Sequence, residues 1–424
     1  MSAPEFGSPG SLSRAPSRSD AEESEPAGGF VAASAATESH RAISSGAAFG
    51  NLLETVRRHV DRQLAMWLGP KVVAASRISA EVGAAAEAIE QLALRGGKRM
   101  RAAMVVVGFD ACGGQGRAEA VSASDEEHVL ALLRSVDRAA VAIELLQVYL
   151  LVHDDWMDDD DVRRGGPAVH VMLRERLGSK RLGDTAAVLA GDLACAYAQQ
   201  ALLEVPVAAE RLLGASRAFA QIQEDVVTGQ LAEMSPIVAS MEGAERASSR
   251  PRADGVGSTN VELIHALKTA SYTVTGPLAL GAHLAGASDA RVAQLTQYGR
   301  PLGIAFQLRD DLLGVFGDPG ATGKPVGNDI RQGKRTALVE AMRGDARADA
   351  LLSRVLGRED ASDAEVAEVI HAMETRGAKA RVESRLAELL AEARAALAAM
   401  ALPESSLGGV WLAGAVRALG ERSS

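Results

Sequence analysis

Residues 140–167 read AVAIELLQVYLLVHDDWMDDDDVRRGGP. The first half is almost wholly apolar. The second places six aspartates in the eight positions 154–161, then two arginines, two glycines and a proline. The apolar part, 140–152, is too short to cross a bilayer and carries Glu144 and Gln147, so it reads as a buried helix. Asp154 and Asp158, four apart, project from one face a turn apart, while Asp155 points about 100° away. Charges of one sign crowded this closely repel, and an acidic run is ordinarily a solvated face. Here it ends a strongly apolar helix and is followed at once by cations, which points instead to a site that holds a metal and an anion.

The rest of the chain sets the frame. Helical periodicity recurs over 52–68, 71–93, 98–111, 126–152, 184–204, 208–232, 261–285, 289–315, 335–344, 347–356, 363–374 and 378–401, and no run of alternating β-branched residues appears. The expected fold class is therefore all-α, with one domain over 46–424. Residues 1–45, rich in Ser, Ala, Pro, Gly and Glu, read as a disordered tail. The segments 112–127 and 240–260 read as loops, the second a flexible insertion. The 424 residues are 47% hydrophobic with a formal net charge of −10, and no basic footprint for nucleic acid is present. Cys112 and Cys195 lie far apart in apolar text and fit thiols in a reducing cytoplasm. The first ten residues, MSAPEFGSPG, lack the cationic start and apolar run of a secretory signal.

A second acidic cluster follows another apolar helix in FQLRDDLLGVFGD (306–318), where Asp310 and Asp311 stand beside Gln307. Hard oxygen donors without a neighbouring Cys or His pair suit Mg²⁺, which takes one or two carboxylates and fills its other positions with water and substrate phosphate. Both clusters precede basic, glycine-containing segments: RRGGP after the first, GDPGATGKP and RQGKRT after the second. Carboxylates for metal and cations for phosphate oxygens are matched requirements. In RGGKRMR (95–101), Lys98, Arg99 and Arg101 supply positive charge at a helix start, a ready anion site. GATGKP (320–325) resembles a phosphate-binding loop but fails the nucleotide pattern, with Asp318 where the first Gly belongs and Pro325 after the Lys.

In order, GGKRMR, DDWMDDDDVRRGGP, GQLAEM, KTASYT, FQLRDD, GKP and GKRT resemble the trans-polyprenyl diphosphate synthase family over most of 50–400. The arrangement is most similar to the short-chain members, geranylgeranyl diphosphate synthases in particular, with farnesyl diphosphate synthases second. The resemblance implies a helical bundle around a deep central cavity, a homodimer, no membrane span, and Mg²⁺, three ions bound together with the diphosphate. It implies the joining of isopentenyl diphosphate to an allylic diphosphate with release of pyrophosphate. Residue by residue, Asp154, Asp155 and Asp158 match the first metal motif, and Asp310 and Asp311 the second. Lys98, Arg101, Gln147 and Arg164 match the isopentenyl diphosphate cradle. Arg163, Lys268, Thr269, Gln307, Lys324 and Lys334 match the groups around the allylic diphosphate, Lys268 counting among the catalytic residues with the aspartates.

Three positions depart from the family pattern: Ala102 where Pro is frequent, Gly314 in place of a third aspartate, and Glu233 where Asp is usual. The Gly314 change leaves Asp310 as the expected main ligand of the second motif and Asp311 as support. Tyr149, about 7.5 Å down the helix from Asp154, and the non-aromatic Leu150 are the expected chain-length residues; by resemblance they favour a C20 product. A terpene cyclase would carry an Asn/Ser/Glu metal triad and an aromatic-rich cavity, whereas aromatics are 3% of this chain. A non-catalytic regulatory subunit would lack one aspartate motif, and both are present.

Overall fold

The computed structural model describes residues 29–113, 125–246, 261–317, 327–403 and 406–420, with side chains from Ser45 onward and not over 235–246. The motifs all lie within one compact unit, Ala42–Ser424. Apart from a two-stranded hairpin, the regular elements among the described residues are helical. In chain order these are α1 (Gly29–Ser76), α2 (Ala80–Leu94), α3 (Met100–Ala111), α4 (Asp125–Met157), β1 (Val162–Arg163), β2 (Gly166–Pro167), α5 (Val169–Leu177), α6 (Lys180–Leu203) and α7 (Ala209–Arg246). After the undescribed 247–260 come α8 (Val261–His265), a π-helical run (Ala266–Thr275), α9 (Gly276–Ala285) and α10 (Asp289–Phe316). The last part holds α11 (Asn328–Arg331), α12 (Ala337–Met342), α13 (Ala346–Val355), α14 (Asp363–Thr375), α15 (Ala378–Ala399) and α16 (Leu407–Gly420).

The central helix is α4. Val136, Ala140, Ile143, Leu146 and Val152 are each fully buried on it, and α6, α3, α5 and α2 pack around it. Beyond α3 lies α9, and α10 joins the π run to α15 and α16. Two glycines decide how closely α3 and α9 approach: a Cβ on Gly281 would lie 2.0 Å from the Val105 carbonyl oxygen, and one on Gly108 2.2 Å from that of Leu278. On α10, Tyr298 is fully buried and donates from its hydroxyl to the Leu412 carbonyl of α16 at 2.6 Å. One helix, α6, is long and apolar enough to cross a membrane by length and composition, although it carries Asp184 and Asp192 and packs along α4 and α5.

Several boundaries differ from the sequence reading. The first helix begins at Gly29, inside the stretch read as a tail, and continues through Pro70, where a break between 68 and 71 was expected. Proline forfeits one backbone hydrogen bond; burial of Trp67, Leu68 and Ala75 around it offsets that loss. The helices α5 and α16 were not foreseen. α16 (LGGVWLAGAVRALG) lies beyond the last helix expected from the sequence; Gly414 and Gly420 sit against the Ser45 carbonyl and Leu390, and Trp411 is buried at 2% exposure. The insertion expected at 240–260 is helical to Arg246, and 247–260 lie outside the described residues.

Arg99 is the main buried charge of the core. It is 2% exposed and bonds Asp61 of α1 at 2.7 Å, Glu144 of α4 at 3.0 Å and the Ala93 carbonyl of α2 at 2.6 Å. The sequence grouped it with the anion-binding cations of RGGKRMR. Its guanidinium instead turns inward and ties three helices to the start of α3. Breaking such a buried pair strands the remaining charges, at a cost of about 3–5 kcal/mol. Arg99→Met should therefore lower the unfolding free energy by that scale, read from the shift of the chemical-denaturation midpoint. Gly281→Ala should cost roughly 1–3 kcal/mol through overpacking, read in the same experiment; an unchanged midpoint in either variant would contradict the packing described.

Candidate active site

The first aspartate motif closes α4. Asp155 is fully buried and Asp154 partly so, and Asp158 lies just past the helix end, exposed, with its N–H donating to the Asp154 carbonyl at 2.9 Å. After the motif the chain forms the β1–β2 hairpin, Val162 opposite Pro167 and Arg163 opposite Gly166. Its two central residues, Arg164 and Gly165, have φ of 52° and 72°. Positive φ at both is the turn that matches strand twist in tight hairpins. A non-glycine residue there is uncommon, and it separates the two adjacent arginines. Arg163 faces the aspartates: its Nε donates to Asp155 at 2.6 Å, its Nη2 also meets Asp155, and Asp160 and Asp154 follow at 3.4 and 3.8 Å. Arg164 turns toward Gly97, whose Cβ position would be 3.6 Å from the guanidinium carbon.

This second direction creates an anion pocket. Arg164 Nη1, Arg101 Nε and Gln147 Oε1 are buried without a hydrogen-bond partner in the protein. Burial, with Arg99, Arg101 and Arg163 nearby, pulls the Arg164 pKa down despite Glu144. The two arginine N–H groups left unpaired cost free energy that an incoming anion would return, whereas the Gln147 oxygen is an acceptor and calls for a donor. Arg101 is held ready by Thr273, 3.1 Å from its Nη2, and by the Tyr272 ring, 4.0 Å from its guanidinium. Lys98 is exposed in the same loop.

The second half of the site hangs from the π run. Lys268 Nζ pairs with Glu233 of α7 at 2.6 Å. Burial pulls the Lys268 pKa down, but Glu233, Asp154 and Asp158 together raise it, so it is a firm cation. Thr269 donates to Gln307 at 2.8 Å, and Gln307 in turn to Asp311 at 2.9 Å. A π-helix is wider than an α-helix and is frequent at functional sites. Its neighbours make room with glycine: Gly229 of α7 faces the Lys268 backbone, a Cβ there falling 2.8 Å from its nitrogen, and Gly303 of α10 faces Ala270 at 2.4 Å.

Asp310 and Asp311 diverge. Asp310 is exposed, whereas Asp311 is 4% exposed and accepts from Gln307 and from the Ala337 N–H at 3.3 Å. Burial pushes the Asp311 pKa up to about 6. Thus Asp158 and Asp310 are exposed and Asp154 is half-buried, whereas Asp155 and Asp311 are buried against Arg163 and against Gln307 with Ala337. Carboxylate oxygens of this kind are the hard donors that Mg²⁺ takes. Lys334 lies 3.6 Å from Asp329, and its field and that of Lys268 act on Asp158. Lys324 and Asp318 lie outside the described residues. Asp159, Asp161 and His170 bring ligand atoms within 4.8 Å of one another, but Arg174 already serves those carboxylates at 3.4 and 4.0 Å.

Sequence reasoning missed two neighbours. Asp329 fills the space a side chain at 314 would need, a Cβ on Gly314 falling 2.6 Å from its Oδ2. Its signal was an acidic residue five positions before Lys334. Tyr272, under Arg101, had no signal beyond its place in KTASYT. Below the aspartates lies an apolar cavity of about 300 Å³, lined by Gln147, Tyr149 and Leu150 of α4, Val188 of α6, Val226 and Gln230 of α7, and Lys268.

The site can therefore hold polyphosphate charge at its mouth and an apolar chain beneath. Comparison with known proteins agrees. The polyprenyl synthetase family model matches residues 83–373. The chain is 33% identical over 279 residues to a geranylgeranyl diphosphate synthase of Saccharolobus solfataricus, covering 65% of this chain and 72% of that one. It is 34% identical over 292 residues to a (2E,6E)-farnesyl diphosphate synthase of Mycobacterium tuberculosis, covering 67% and 68%. A geranylgeranyl pyrophosphate synthase from Corynebacterium glutamicum, solved with isoprenyl diphosphate and magnesium, superposes with a TM-score of 0.71 at 31% identity, over 88% of this chain and 99% of that one. With the match spanning both aspartate motifs and the residues that line the cavity, the chain belongs to the polyprenyl synthetase family.

Proposed function

We propose that the protein condenses isopentenyl diphosphate head-to-tail with an allylic diphosphate and releases pyrophosphate, with geranylgeranyl diphosphate as the main product. The observation that carries this reading is the pair of unlike anion sites flanking one apolar cavity. On one side Arg101 and Arg164 each bury an unpaired N–H, which suits a diphosphate that must stay attached. The site at Asp154, Asp158, Lys268 and Lys334 joins carboxylates to cations and suits one that must leave.

Asp154, Asp158 and Asp310 would hold Mg²⁺, which when bound neutralises charge on the departing pyrophosphate. Arg163, once drawn off Asp155, joins Lys268, Thr269 and Lys334 in holding the allylic diphosphate. Lys98, Arg101, Gln147 and Arg164 orient isopentenyl diphosphate so that its double bond faces the allylic carbon. As the allylic C–O bond breaks, those π electrons form the new C–C bond, and the proton lost from the adjacent carbon goes to the released pyrophosphate. Lys268 stabilises charge that grows on the leaving oxygens, a preorganised effect stronger in a water-poor site. The apolar lining keeps water from the carbocation.

We infer also that the chain works as a homodimer in the cytoplasm. Leu189, Val227, Leu231 and Met234 leave apolar side chains 42–61% exposed along α6 and α7, which a second copy would cover. Cys112 and Cys195 are both free thiols, as a reducing compartment permits.

Incubated with Mg²⁺, farnesyl diphosphate and labelled isopentenyl diphosphate, the purified protein should yield geranylgeranyl diphosphate; a hydrocarbon would point to a cyclase, and no turnover to a regulatory subunit. Asp154→Ala should lower turnover by about 10²-fold or more, the scale of losing one preorganised electrostatic group, and EDTA should abolish it. Light scattering after size exclusion should give twice the chain mass; a monomer at micromolar concentration would remove the dimer.

A further inference from the structure

Depth in the cavity can be read from helix register. Tyr149 stands five residues before Asp154 on α4, about 7.5 Å below it. On α6, Val188 is level with the aspartate end, since its carbonyl meets His153 Nε2 at 3.0 Å. Cys195 lies two turns further down α6. On α7 the direction is reversed: Glu233 is at the aspartate end beside Lys268, and Gln223 lies ten residues earlier, about 15 Å away along the axis. Cys195 and Gln223 are therefore both below the lining residues Val188 and Val226.

These two residues meet. Gln223 Nε2 donates to Cys195 Sγ at 3.3 Å. The contact matters because of how the walls pack: α6 leans on α4 and α5, and α7 on the π run and α9, so the two helices barely touch and leave a cleft between them. The Gln223–Cys195 bond spans that cleft below the lining residues Val188 and Val226. Tyr149 lies directly above. Its hydroxyl feels the Cys195 thiol, and its ring is held edge-on to His153 with centroids 5.0 Å apart. Gly191 makes that arrangement possible, because a Cβ there would fall 2.2 Å from His153 Nε2.

We propose that the cavity base has two layers: Tyr149 is the first stop, and the Gln223–Cys195 pair is a second, polar stop that joins α6 to α7 beneath it. This rests on reading the cavity as the channel for the growing prenyl tail. A tail that passed Tyr149 would have to break this part-buried bond and press an unpaired amide against its own apolar surface, which is unfavourable. The second stop therefore limits how far the product can lengthen once the first is removed.

Product length tests this. Wild type, Tyr149→Ala, Gln223→Ala and the double variant are each given farnesyl diphosphate, labelled isopentenyl diphosphate and Mg²⁺, and products are resolved by reversed-phase chromatography. Gln223→Ala alone should match wild type, Tyr149→Ala should lengthen the product to a new limit, and the double variant should exceed that limit. Tyr149→Ala/Cys195→Val, which removes the acceptor while keeping side-chain bulk, should also exceed it, and circular dichroism checks that each variant is folded. A double variant no longer than Tyr149→Ala overturns the second stop, as does lengthening by Gln223→Ala alone. If wild type forms no prenyl diphosphate, the reading of the cavity fails and this inference falls with it.

Discussion

Six aspartates in eight positions can end a buried helix only where cations face them, and the site is organised around that electrostatic requirement. Asp155, fully buried, is held by Arg163, and the hairpin that follows α4 exists to bring that arginine back. The same hairpin sends Arg164 the other way through its positive φ, so one tight turn serves two charge sites. Asp154 and Asp158 keep their oxygens toward the cavity mouth, with Lys268 and Lys334 near enough to act on Asp158.

A comparable division runs through GGKRMR. Lys98 is exposed, Arg99 is buried against Asp61 and Glu144, and Arg101 stacks on Tyr272 with an unpaired Nε. Of three neighbouring cations, one is thus exposed, one is locked in a buried ion-pair network and one is stacked on an aromatic ring. Arg99 makes the other two effective, because it fixes the start of α3 to α1 and α4. The π run plays the matching part on the opposite wall, where its extra width pushes Lys268 and Thr269 forward and glycines on α7 and α10 absorb the bulge.

The helices were legible because each buries one face, and a 3.6-residue period survives in the text whatever the partner is. The motif residues were legible through their residue types and order. What escaped reading had no periodic signature of its own. α16 is rich in glycine, and its helicity follows from fitting small residues against Ser45 and Leu390. α5 is short, the hairpin has two residues per strand, and the π run differs from an α-helix only in hydrogen-bond register. Pro70 sits inside α1 because burial on either side outweighs a local preference to stop.

The sequence by itself determined the helical class, the two acidic clusters with their following cations, and the chemistry those residue types allow, since composition and spacing are local properties. The tertiary structure alone decided which members of each cluster are buried and which are exposed. Asp155 and Asp311 are buried while Asp158 and Asp310 are exposed and Asp154 lies between; Arg99 turns inward while Arg101 does not; and Asp329, from a separate helix, occupies the space beside Gly314. The reason is physical: adjacent residues share a composition, but burial and the partner each one meets depend on segments far away in the chain.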